Sequence, residues 1–288
     1  MTLTDATGTL SAHTSTTVTA ELNAFAAGLG EGIYQNAIEF TNTTNHNGDT
    51  NREAVLTVGT SELRYNFPLD TNPGWTTQGS WAFGHPTGGG SYNHDPSNGH
   101  TGTNVYGYNL SGDYTSSMPV YYLTTTALDC RRLGNVELRF WKWLGVQSSE
   151  YDQAKVQVSN NGTIWRTIWQ HATLNRSDST WTQVSYNISA GADNQQTVYL
   201  RWAMGPTNAS VTYPGWNIDD VEIWAWPPIV GDYDGNRIVD LDDFAYFGDC
   251  MTGPDNGPPA DNRCEAFFFD ADNDVDLADF AAFMLTQP

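Results

Sequence analysis

The sequence predicts a mainly β protein in three parts. These are a truncated β-sandwich over residues 1–59, an antiparallel jelly-roll β-sandwich over 60–227 and a small α-helical acidic module over 228–288. Three observations carry this. The chain holds 11 Trp, 14 Tyr and 12 Phe among many Thr, Ser and Asn, with Lys142 and Lys155 its only lysines. Such β-branched and aromatic side chains suit a pleated, half-buried surface. Runs of apolar–polar alternation recur up to Pro227, which is the period of a strand with one buried face. At Pro227 and Pro228 the composition turns abruptly to Asp and Phe, and a proline pair at such a change marks a linker.

In the first part, residues 16–22 alternate, with Val18, Ala20 and Leu22 on one face. Residues 33–41 and 52–58 flank a turn rich in Asn, Thr and Gly, as the strands of a hairpin do. Three or four strands do not close a sandwich. The opening MTLTDATGTLSAHT has neither the basic nor the apolar region of a signal peptide. The expectation is the C-terminal piece of a larger secreted protein, extracellular or on the cell surface.

The second part opens with YNFPLDTNPGW and a Gly/His/Asn-rich loop over 84–107. Residues 136–144 then put Val136, Leu138 and Phe140 on one face and Trp141 and Trp143 on the other. Ala154, Val156 and Val158 alternate with polar residues, as do Val184, Tyr186 and Ile188, and Val198, Leu200, Trp202 and Met204. With the turn SNNGTIW at 159–165 and the closing GWNIDDVEIWA at 215–225, this spacing fits an antiparallel jelly roll.

The net charge is −21, and residues 228–288 hold 14 Asp and Glu against Arg237 and Arg263 alone. Such a surface repels nucleic acid and anionic lipid. No apolar run reaches the roughly 18 residues of a membrane span. The acidic residues are spaced as ligands. An EF-hand-type loop places oxygens at positions 1, 3, 5, 7, 9 and 12 around Ca2+. From Asp232 these are Asp232, Asp234, Asn236, the Ile238 carbonyl, Asp240 and Asp243. Val239 at position 8 is expected to bond the partner loop. Arg237 stands at position 6, where Gly usually takes φ > 0. A second loop ends on Asp279, with Asp276, the Asp274 carbonyl, Asp272 and Asp270 at 9, 7, 5 and 3. Its position 1 is Phe268, so the expectation is one tight site and one that is weaker, helped by a neighbouring oxygen, or absent. The segments IVDLDDFAYF and DVDLADFAAF repeat one loop–helix unit. A solvated acidic tail would lack this periodicity. Cys250 and Cys264 predict a disulfide in an oxidising compartment, and Cys130 is left as a buried apolar residue.

These residues carry resemblances. The two Asp loops, each followed by a short helix without an entering helix, resemble the type I dockerin over about 231–284. The intervening CMTGPDNGPPADNRC departs from cellulosomal dockerins in length and in its Cys pair. The resemblance implies a cohesin-like or cell-surface partner, met through positions 10 and 11. Those fall on Leu241 and Asp242, and on Leu277 and Ala278, although both leucines read as packing residues. Residues 1–59 resemble half of a bacterial immunoglobulin-like (BACON-like) module. GWNIDDVEIWA and YDQAKVQVSNNG resemble parts of MAM-like jelly rolls, which implies a structural cation site from Asp219 or Asp220 with Asp70 or Asp113. The bland reading is that Asp219 and Asp220 bond loop backbone, and it is the favoured one.

Trp141 and Trp143 either stack on sugar rings from the sheet surface or fill the space between sheets, with core filling favoured. His85, His94, Asp95 and His100 share one loop but lack a zinc-ligand spacing. No nucleophile elbow, phosphate loop or zincin motif is present, and nothing marks Glu150 and Asp152 as a catalytic pair. The sequence therefore reads as a non-catalytic calcium-binding region whose sandwich binds a polysaccharide. The alternatives are a MAM-like protein-adhesion module and an accessory domain of a secreted peptidase or glycoside hydrolase.

Overall fold

The computed structural model of the chain describes residues 1–11, 14–30, 32–270 and 272–286. It forms two compact units, Met1–Thr60 and Ser61–Pro288.

In Met1–Thr60, β1 (Thr2–Thr4) pairs with β2 (Thr19–Glu21), and β3 (Gly32–Phe40) with β4 (Thr50–Val58). The β3–β4 ladder runs in unbroken antiparallel register from Gly32 opposite Val58 to Phe40 opposite Thr50. Its turn is closed by side-chain bonds, with Asp49 accepting from the Asn42 amide and Asn42 Nδ2 donating to Asn45. No described residue of this unit is fully buried. The strand expected over 16–22 contracts to Thr19–Glu21, because its apolar row has no surface to pack on and Leu22 is exposed.

Ser61–Pro288 contains an antiparallel sandwich and the acidic module. In chain order the strands are β5 (Glu62–Phe67), β6 (Thr76–Thr77), β7 (Trp81–Gly84), β8 (Val105–Tyr108), β9 (Tyr121–Thr124) and β10 (Leu128–Cys130). They continue with β11 (Gly134–Val146), β12 (Ala154–Ser159), β13 (Arg166–Gln170), β14 (Arg176–Ser177), β15 (Thr182–Asn187), β16 (Gln195–Met204) and β17 (Gly215–Trp226). A seven-stranded sheet has the order β14-β11-β17-β8-β7, with β15 also on β11 and β5 on β17. A six-stranded sheet has the order β13-β12-β16-β9-β6, with β10 on β16. The inner faces meet through rings: Phe140 stands edge-on to Trp202 at 5.3 Å, and Trp169 to Trp216 at 5.5 Å. The strict alternation of β11 sends Val136, Leu138, Phe140 and Leu144 inward and Trp141 and Trp143 outward. Cys130 is buried in this core, and burial pushes its thiol up to about 12.

The β11–β17 register jumps between Arg139 opposite Glu222 and Trp141 opposite Asp219. The extra residue is accommodated at Asp220, which has φ +44, and a bulge of this kind re-aims side chains.

The acidic module has its own core of Tyr233, Phe247, Phe267, Val275 and Phe283, built around a Cys250–Cys264 disulfide with Cα atoms 5.4 Å apart. After α1 (Ser189–Ala192) in the sandwich, its helices are α2 (Leu241–Phe244), α3 (Phe247–Cys250) and α4 (Leu277–Thr286). The module is docked on the sandwich. Asn194 Nδ2 donates to the Asp234 carbonyl at 2.7 Å and Arg132 to the Ile229 carbonyl at 3.0 Å. The Arg237 guanidinium lies 4.9 Å over the Trp226 ring.

Candidate functional site

Each Asp loop is wound around its last carboxylate. Asp243 accepts the amides of Tyr233 (2.8 Å) and Asp234 (3.1 Å) on Oδ1 and of Asp240 (2.9 Å) on Oδ2. Asp279 repeats this with Phe269, Asp270 and Asp276. Within the first loop Asp232 accepts from Gly235 and Arg237, Asp234 from Asn236, Asn236 from Ile238, and Asp240 from Asp242. These Asx bonds curl the chain so that carboxylates of Asp232 and Asp234 converge on that of Asp243, while Asp240 stays outside that set. Asp240 and Asp243 also form a capping box on α2, which satisfies orphan amides of the helix start. Position 6 takes positive φ in both loops, +70 at Arg237 and +63 at Asn273. Arg237 uses that turn to reach back, donating to the Pro227 carbonyl at 3.2 Å.

Carboxylate oxygens of Asp232, Asp234 and Asp243 lie within 4.8 Å of one another. The same holds for Asp270, Asp272 and Asp279, and for Asp274, Asp276 and Asp279. Asp232 and Asp243 are fully buried, and burial, with Asp243 and Asp234 close by, raises the Asp232 pKa. A convergent set of oxygens without nitrogen or sulfur ligands fits a hard cation such as Ca2+.

Two details differ from expectation. Leu241 and Leu277 do not pack; they are 71% and 70% exposed, at equivalent places on α2 and α4. The first turn of each helix projects from its loop, so these side chains have no core to reach. The amide and carbonyl of Val275 are engaged by Thr252 and Gly253 instead of Val239, because the disulfide-closed segment runs alongside the second loop.

In the sandwich, the residues between β7 and β8 fold over the outer face of the seven-stranded sheet. Asp219 Oδ2 accepts the amides of His100 (2.6 Å) and Thr101 (3.1 Å). Asp220 meets His100 Nδ1 at 2.6 Å and the Thr101 hydroxyl at 2.6 Å. Asn217 donates to Asp95 at 2.6 Å. Burial raises the carboxyls of Asp95 and Asp219 to about 7. Asp70 Oδ1 lies against Gly102, and the Asp70 carbonyl accepts from Asn104, so Asp70 and Asp219 grip the same loop. Asp113 belongs to a separate network with Ser91 and Thr212. Among the described residues, Asp70, Asp113, Asp219 and Asp220 form no cluster of three converging carboxylates. His85, His94, Asp95 and His100 each take a different partner.

Trp141 and Trp143 are partly exposed on that outer face, so the expectation that they fill the core is not met. The alternation that buries Phe140 and Leu144 forces both rings outward. Trp141 stacks on His100, and Trp143 donates its indole N–H to the His94 carbonyl at 2.9 Å. Trp181 stands edge-on to Trp143, centroids 6.0 Å apart. Sequence reasoning passed over Trp181. Its signal is that it immediately precedes β15, the neighbour of β11.

No family model matches the chain. Over 164 residues, 54% of this chain, it is 29% identical to Bacillopeptidase F of Bacillus subtilis strain 168, and it spans only 10% of that relative's length. Among solved structures it is similar to the K1 cleaved adhesin domain of Lys-gingipain from Porphyromonas gingivalis W83. That match has a TM-score of 0.36 and 19% identity, covering 57% of this chain and 98% of that one. It is also similar to the CBM22-1 xylan-binding domain of Paenibacillus barcinonensis Xyn10C, with a TM-score of 0.36 and 13% identity, covering 59% and 98%. At such scores the architecture rests on the strand pairing itself.

Proposed function

We propose that this chain is a non-catalytic, calcium-binding region of a secreted protein, in which the paired Asp loops hold Ca2+ and the outer face of the sandwich binds a polysaccharide. The observation that carries the reading is the duplicated wrap around Asp243 and Asp279, which turns carboxylates inward in both loops. Bound calcium would neutralise the crowded carboxylates and fix the small core behind them. Asp232, Asp234, Asn236, Asp240 and Asp243 would hold it in the first loop. The exposed Leu241 and Leu277 support an attachment role, since matched apolar side chains on two helix starts suit docking to a cohesin-like or cell-surface partner.

For the sandwich, Trp143 and Trp181 offer ring faces and edges to a sugar, and Asp220 and His100 border them. Apolar contact with aromatic rings, oriented by a few polar groups, is how such surfaces take sugars. The partial identity with a protein named as a peptidase favours a second reading, an accessory domain carried beside a peptidase. Retention of the whole chain on a panel of polysaccharides separates the two. Retention by one glycan supports the first, and none with any glycan moves the sandwich to protein contacts.

A further inference from the structure

We propose that the second Asp loop replaces its missing first-position ligand with the side-chain carboxylate of Asp274, presented by a strap from the disulfide-closed segment. The inference rests on the reading that these loops hold calcium. Phe268 stands where the first loop has Asp232, and its side chain packs against the module core. The deficit is met from the other side. A carboxylate oxygen of Asp274 lies within 4.8 Å of oxygens of both Asp276 and Asp279. Asp279 is also within that distance of Asp270 and Asp272.

The two loops differ at the seventh position. Ile238 is 60% exposed, whereas Asp274 is 1% exposed. The strap accounts for this. The Thr252 and Gly253 amides donate to the Val275 carbonyl, at 3.0 and 3.1 Å, and the Val275 amide donates to the Thr252 hydroxyl at 3.2 Å. The Asp255 amide donates to Asp274 Oδ2 at 2.6 Å. Oδ2 is therefore fixed, while Oδ1 is buried without a hydrogen-bond partner. A buried carboxylate oxygen without a donor is costly, and a divalent cation at the Asp276–Asp279 carboxylates would satisfy it. In the second loop Asp279 thus belongs to two sets of converging carboxylates, Asp270 with Asp272 and Asp274 with Asp276, whereas the first loop has, among the described residues, the one set of Asp232, Asp234 and Asp243. Affinity in such loops follows ligand charge, so the Asp274 side chain restores the charge that Phe268 removes.

Calorimetric titration of the whole chain with CaCl2 tests this. The expected result is two sites. Asp232→Asn weakens one, and Asp274→Asn weakens the other by at least the tenfold or so that losing a supporting group costs a metal site. The first site, still filled in Asp274→Asn, shows that the module is folded. If Asp274→Asn fills neither site, Phe268→Asp in that background decides. Recovery of the second site supports the substitution of one ligand for another, and no recovery overturns it. Two sites of unchanged affinity in Asp274→Asn overturn the inference, as does a single site lost in Asp232→Asn. No binding by the unaltered chain instead removes the calcium reading itself.

Discussion

His100 lies flat against Trp141, with ring centroids 3.6 Å apart and planes 11° apart, while its Nδ1 meets the Asp220 carboxylate at 2.6 Å. One side chain thus ties the loop between β7 and β8 to the sheet by stacking and by a hydrogen bond. His100→Ala should cost about 1–2 kcal/mol, read as a lower denaturant midpoint with red-shifted tryptophan emission. His100→Phe keeps the ring and should recover about half. An unchanged midpoint in His100→Ala would show that the loop is held elsewhere.

The outer-face reading predicts a sided effect. Trp143→Ala and Trp181→Ala should each weaken polysaccharide retention on the order of tenfold, the size of an aromatic contact worth about 1–1.5 kcal/mol. Trp165, which packs over Arg201 at 3.9 Å on the other sheet, serves as the control, and Trp165→Ala should leave retention unchanged. Affinity electrophoresis compares the three. Equal losses in all of them would mean that no one face carries the binding.

Asp95 and Asp219 set a pH dependence. Both are buried, with carboxyls raised from 3.8 to about 7. The folded chain therefore binds more protons than the unfolded chain between these values. Stability from these groups is fully present below about pH 4 and falls as pH rises through 7, by up to about 4 kcal/mol for each. In chelator, the urea midpoint should drop across this window, and Asp219→Asn should flatten the slope. An identical slope in Asp219→Asn would count against a buried proton there.

Asp243 closes its loop with three amides, and Asp243→Ala orphans all of them in a buried place. A cost of roughly 3 kcal/mol or more is expected, confined to the module. Hydrogen exchange should speed up over residues 231–250 while β11 and β17 stay protected. Uniform acceleration would mean that module and sandwich unfold as one.

The Cys250–Cys264 bond closes a loop of sequence separation 14. Cys250→Ser with Cys264→Ser should lower stability by about 3 kcal/mol and loosen the strap over Asp274. The denaturant midpoint of the module checks the first effect, and exchange at the Asp255 amide the second.

Local pattern made much of this legible in the sequence. The alternation at 136–144 assigned the two faces of β11, and the Asp spacing picked out the residues that the first loop winds together. What stayed hidden depends on long-range packing. The sequence favoured Asp219 and Asp220 as groups that bond loop backbone, but the 84–107 loop has no periodicity, so neither its identity as that loop nor the part of Asn217 was legible. The burial tendency of tryptophan pointed Trp141 and Trp143 inward against their own alternation, which decided the matter. Position 7 normally contributes a carbonyl, and the burial of the Asp274 side chain comes from a strap distant in sequence, which no local spacing encodes.

The central claim is that the Asp loops are filled by calcium, and scanning calorimetry of the whole chain with CaCl2 and with chelator tests it most directly. The account predicts that the transition of the acidic module moves up with calcium, by about 2.7 kcal/mol of added stability for each filled site at a free concentration a hundred times its Kd, and that Asp232→Asn, which leaves one site, reduces the shift. A module transition indifferent to calcium would contradict it.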